Sequence, residues 1–191
     1  MTTLTTEVEN KLIVRAQQGD REAFGELVCQ NQTSVIAVVY RMCGDARLAE
    51  DAAQEAFIQA WLHLPGYQPR SCLRNWLYRI AINAALDVLR RERGTQEIDE
   101  DVFFIEDPRP GPEVELLQKE KAQIVQHAIL ALSETNRAVL VLREYGGLNY
   151  REIAAALGIP LGTVMSRLNY ARERLRSSLK PLLSTLEIKH G

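Results

Sequence analysis

The 191-residue chain is poor in the residue types on which several function classes depend. Its three cysteines, Cys29, Cys43 and Cys72, stand at wide spacings with no CxxC pair and no histidine at ligand spacing, so neither a disulfide framework nor a zinc site is indicated. Buried free thiols are the expected state of all three. The histidines, His63, His127 and His190, are isolated, no Ser or Cys nucleophile has a recognisable partner motif, and no phosphate-cradling glycine loop is present. A catalyst, a metal site or a cofactor is therefore not expected. No apolar run approaches the length of a membrane span, and MTTLTTEVENKL carries acids where a signal peptide would be basic. These absences predict a cytoplasmic protein without membrane insertion. A basic excess is missing as well: the formal net charge is -2.

What is present is a hydrophobic fraction of 46%, enough for one sizeable core or two small ones, and a segmented charge. Residues 1–93 are neutral overall, residues 94–120 carry -7, and residues 121–191 carry +5. The average conceals a basic C-terminal segment of the kind that suits nucleic acid.

Periodicity of three and four residues dominates, as at Ala23, Leu27 and Val28 and at Val35, Val38 and Val39, which predicts an all-α fold. Asp45 precedes ARLAEDAAQEAFIQAWLHL as an N-cap, and Pro65-Gly66 stops that helix. GYQPRSC reads as a loop, and LRNWLYRIAINAALDVLRRER as a helix ending at Gly94. At helical spacing Trp61 and Trp76 are expected in the core, while Tyr78 fits either the core or a stacking surface. Acids and three prolines in TQEIDEDVFFIEDPRPGP predict a flexible acidic linker over residues 94–112. Four further helices follow, separated at Ser133, at Gly146-Gly147 and at Gly158-Ile159-Pro160. Two helical domains result, spanning residues 1–93 and 113–191.

Tyr150 to Arg176 has the grammar of a helix-turn-helix: a short helix with Ile153, Ala154 and Leu157 inward, a three-residue turn containing Gly158, then a longer helix. At about 100° per residue, Val164, Leu168, Ala171 and Leu175 share the packed side of the second helix. Gly162, Ser166, Asn169, Tyr170 and Glu173 take the opposite side, with Arg167 and Arg174 on one flank and Arg172 and Arg176 on the other. Uncharged hydrogen-bonding groups framed by guanidinium groups suit base edges framed by phosphates.

GDREAFGELV, AEDAAQEAFIQAW, WLYRIAINAALDVLRR and YREIAAALGIPLGTVMSRLNYARERL resemble, in order, the successive blocks of extracytoplasmic-function sigma factors of RNA polymerase. The resemblance covers nearly all of residues 19–93 and 128–180. It implies that residues 1–93 are sigma region 2, which docks on core RNA polymerase and recognises and melts the minus-ten element. Residues 113–191 would be region 4, which reads the minus-thirty-five element of promoter DNA. By the same likeness Asp51, Gln54 and Glu55 contact the polymerase clamp. The loop Gly66 to Leu73 captures a flipped minus-ten base, with Tyr67, Gln68, Arg70 and Ser71 as suppliers of contacts, and Asn83 touches the unwinding strand. The minus-thirty-five candidates are Thr163, Ser166, Arg167, Asn169, Tyr170, Arg172, Arg174 and Arg176. One position departs from the pattern: many relatives carry Lys or Arg where this chain has Met165. A stress or envelope response and an anti-sigma partner are further implications. The competing class is a stand-alone helix-turn-helix regulator that binds operator DNA, which residues 121–191 alone would also fit.

Overall fold

The computed structural model describes residues 2–68, 72–93 and 112–190, and the predicted acidic linker lies almost wholly outside them. Among the described residues the architecture is all-α. The helices are α1 (Thr2–Gln17), α2 (Arg21–Cys43), α3 (Ala46–His63), α4 (Leu73–Arg93), α5 (Pro112–Leu130), α6 (Glu134–Glu144), α7 (Tyr150–Leu157) and α8 (Leu161–His190), with a single 3-10 turn at Leu64–Gly66.

Helices α1 to α4 form the first bundle. Asp20 starts α2 by accepting hydrogen bonds from the Glu22 and Ala23 amides, and Gly44 ends it in the left-handed conformation at φ 76°. Asp45 then caps α3, as predicted, accepting from Leu48 N at 2.8 Å. The inner face of α3 is built almost entirely of alanine, Ala49, Ala52, Ala53, Ala56 and Ala60, all buried. So narrow a face lets α2 and α4 pack closely on α3 and on each other, with Val35, Val39, Ala81 and Ile82 in the shared core. The sequence pattern assigns no element before Gly19, yet α1 forms there and inserts Leu12, Ile13 and Ala16 into the core.

Helices α5 to α8 form the second unit around Leu140, Leu142, Leu148, Ile153, Val164 and Leu168. Asn149 and Glu152 make a complete capping box at the start of α7: Asn149 Oδ1 accepts from the Arg151 and Glu152 amides, and Glu152 Oε2 accepts from Asn149 N at 2.7 Å. Gly158, at φ 64°, closes α7, and α8 begins three residues later, so the turn has the predicted length.

The two units pack on each other through the C-terminal end of α2, which meets α5 and α6, and through α4, which meets α6 and α7. Arg41 Nη1 donates to Gln126 Oε1 at 2.8 Å, and Gln126 Nε2 donates to Tyr40 O at 3.3 Å. The Arg41 guanidinium also lies 4.6 Å from the Tyr145 ring centroid. Arg137, on α6, is only 6% exposed and donates to Met42 O of α2, to Leu130 O at the end of α5 and to Leu132 O just after it. Glycine suits position 44 because of its positive φ, and a Cβ there would also force the Leu130 side chain to shift.

Candidate nucleic-acid interface

The second helix of the helix-turn-helix, α8, presents two faces. Val164, Leu168 and Ala171 are fully buried and Leu175 packs partly against them, as the periodicity requires. Gly162, Ser166, Asn169, Tyr170 and Glu173 are exposed on the other side, and Thr163 is half-buried at its start. Ser166 Oγ donates to Thr163 O at 3.1 Å, a local bond that leaves the hydroxyl oxygen able to accept.

The four arginines divide into two pairs. Arg172 donates through Nε and Nη2 to Glu144 Oε1 at 3.1 and 2.7 Å, and Arg176 pairs with Glu173 at 2.8 Å. Arg167 and Arg174 make no ion pair among the described residues, so they are the cations most directly available to phosphate. The Glu144 contact could not be read from local pattern because it spans 28 residues.

In the first unit, Asp51 and Gln54 are exposed on α3 and Glu55 is half-buried. Asp51 faces Arg47 at 3.8 Å, and Glu55 Oε1 accepts from Gln59 at 2.8 Å. The same strip continues through two residues that the reading of motifs missed. Ile58 and Leu62 are 49% and 61% exposed. Around the axis they fall within about 20° of Asp51. Their signal was an apolar pair at helical spacing on an otherwise polar face, which makes the strip half polar and half apolar.

Around the loop after α3 the candidates separate. Tyr67 is buried against Trp76, with ring centroids 4.9 Å apart, and burial pushes its phenol up to about 12. Gln17 Nε2 donates to Leu64 O at 3.1 Å and to Tyr67 O at 2.8 Å, pinning the loop entry to α1. Gln68 is exposed, whereas Arg70 and Ser71 lie outside the described residues. Asn83 is exposed on α4, and Arg79, one turn earlier, is exposed beside it, a cation next to the predicted strand contact that the motif reading did not single out. Tyr78 belongs to the core, so α4 offers no stacking surface there. Trp76 is partly buried against the core, and Trp61 sits half-buried with its ring 5.0 Å from Phe24.

Cys43 is half-buried at the junction of the two units, and desolvation raises its thiol to about 12, while Cys29 and Cys72 are exposed, against the expectation of burial. Both lie where helix or loop faces solvent, and their small side chains fit either environment. Among the described residues no group of His, Cys, Asp and Glu is arranged to hold a metal ion, and no helix is long and apolar enough to cross a membrane.

The family model for Sigma-70 region 2 matches residues 27–95, and that for Sigma-70, region 4 matches residues 122–175. The chain is 39% identical over 189 residues to the RNA polymerase sigma-H factor of Pseudomonas aeruginosa, covering 94% of this chain and 98% of that protein. It is 38% identical over 181 residues to the ECF RNA polymerase sigma-E factor of Escherichia coli K12, covering 90% and 94% of the two. Its fold resembles that of CnrH solved in complex with the cytosolic domain of CnrY, with a TM-score of 0.69 at 24% identity over 91% of this chain and 98% of that one. It also resembles the sigma factor RpoE solved with the anti-sigma factor NepR from Bartonella quintana, with a TM-score of 0.68 at 23% identity over 82% and 96%. Region 2 precedes region 4 in one chain whose relatives are matched nearly end to end, an arrangement that a stand-alone regulator does not share. The chain belongs to the extracytoplasmic-function sigma factors of RNA polymerase.

Proposed function

We propose that the chain docks on core RNA polymerase through the α3 strip and directs initiation at promoters read by its two helical units. Residues 1–93 serve docking and minus-ten melting, residues 94–112 link, and residues 113–191 read the minus-thirty-five element. Asp51, Gln54 and Glu55, extended by Ile58 and Leu62, make the docking strip. A contiguous exposed strip with a polar half and an apolar half is the surface expected of a partner site. Gln68, Arg70, Ser71 and Asn83, with Arg79, serve the minus-ten strand, and Tyr67 supports the loop from within.

The observation that carries this reading is α8, whose inner stripe is buried while Ser166, Asn169 and Tyr170 are exposed on the face flanked by Arg167 and Arg174 on one side and by Arg172 and Arg176 on the other. Such a helix can enter a major groove and present hydrogen-bonding groups to base edges. Since relatives of this fold are solved with anti-sigma factors, we extend the proposal to a protein that holds the free factor inactive in the cytoplasm. A stress or envelope signal would release it.

Run-off transcription with purified core polymerase, this chain and a genomic fragment library tests the proposal. Transcripts should start downstream of one shared bipartite sequence only when the chain is present. Binding of the free chain to the same duplex, at physiological salt, as tight as that of the holoenzyme would overturn the proposal in favour of an operator-binding regulator.

A further inference from the structure

On the first three turns of α8 the large exposed apolar residues are Leu161, Met165 and Tyr170, and Met165 is 48% exposed. The remaining exposed positions from Gly162 to Arg176 are glycine, polar or charged. Met165 stands one turn before Asn169 on the same ridge of the helix, about 40° away around the axis. It therefore adjoins the hydrogen-bonding face without belonging to the core.

A flexible, unbranched apolar chain gains nothing from water and little from phosphate. When α8 lies in a major groove, the apolar group that base edges offer is the C5 methyl of thymine. We infer that Met165 is a specificity residue that reads a thymine methyl in the minus-thirty-five element. Asn169 suits adenine through its amide, and it sits about 6 Å further along the axis. At about 3.4 Å per base pair, the thymine and that adenine fall within about two base pairs of each other. This inference rests on α8 as the reader of promoter DNA and adds the base class that this chain selects.

The test uses holoenzyme reconstituted with the full chain. A promoter library randomised through the minus-thirty-five region is selected first, and each thymidine of the winning sequence is then replaced in turn by deoxyuridine, which removes only the methyl. Burial of one methyl-sized group corresponds to about a fourfold loss of binding at one position. Met165→Ala should bind about as weakly as wild type does on the demethylated site, and should no longer respond to deoxyuridine at that position. Its melting temperature should be unchanged, because the side chain leaves the core untouched. Indifference of wild type to every deoxyuridine, or an unaltered fourfold response in Met165→Ala, would overturn the assignment while leaving α8 as the reader. Selection that yields no minus-thirty-five preference at all would instead remove the reading on which it rests.

Discussion

Replacement of Arg137 by Met tests how the two helical units are joined. The guanidinium is 6% exposed and donates to Met42 O in the first unit and to Leu130 O and Leu132 O in the second. Methionine keeps much of the aliphatic volume and removes every donor. Hydrogen bonds to a charged group contribute about 1.5–3 kcal/mol each, and a buried carbonyl left unpaired costs about 1–3 kcal/mol. The three bonds share one guanidinium whose burial is itself costly, so they do not sum, and a loss of about 3–4 kcal/mol is expected. That is a large share of a typical total of about 5–15 kcal/mol. The chain carries its own reporter, since its two tryptophans, Trp61 and Trp76, both belong to the first unit. Urea unfolding followed by tryptophan fluorescence reports that unit, and far-ultraviolet circular dichroism reports all the helices. Coincident transitions in wild type should separate in Arg137→Met, with part of the helical signal lost before the fluorescence changes. Superimposable curves at the wild-type midpoint would refute the claim that Arg137 ties the units together.

Charge reversal at Asp51 and Glu55 should abolish co-purification with core polymerase while leaving helical content and melting temperature nearly unchanged, because both lie on the outer side of α3; retention of holoenzyme assembly would place docking elsewhere. Alanine at Ser166 or Asn169 should change base preference at single minus-thirty-five positions, by about 1–3 kcal/mol where a good base contact is lost, as read by binding to single-substitution promoter sets. Equal weakening on all sequences would show phosphate contact alone. Burial lifts the Cys43 thiol to about 12, so at pH 8 its thiolate fraction is about one in ten thousand. A native thiol titration should show Cys29 and Cys72 reacting fast and Cys43 slowly. Because the folded thiol holds its proton above the unfolded value of 9.0, its contribution to stability is complete below about pH 9 and is lost as pH rises toward 12. Alkaline unfolding of Cys43→Ala should consequently be shallower than that of wild type over that range.

Elements whose physics is local follow from the order of residues alone. The Asp45 cap, the end of α3 just ahead of Pro65-Gly66, the turn at Gly158 and the stripe of Val164, Leu168 and Ala171 each depend on neighbours within about four residues, and all four stand where periodicity and capping place them. The Asn149–Glu152 capping box is equally local, and the structure adds it to the reading of the helix-turn-helix, which began at Tyr150. Tertiary structure alone decided what depends on partners far along the chain. Tyr67 reads as a loop aromatic until Trp76 and Gln17 enclose it, and Tyr78 becomes core only when the bundle closes. Arg172 looks like a phosphate ligand until Glu144, 28 residues away, meets it. Arg137 and Gln126 look like surface side chains of amphipathic helices, yet their partners on α2 lie 85 to 95 residues earlier. Whether a polar side chain is buried with its hydrogen bonds satisfied or left in water is settled by which surfaces meet, and hydrophobic periodicity, which records only that one face of a helix is apolar, does not name the surface it meets.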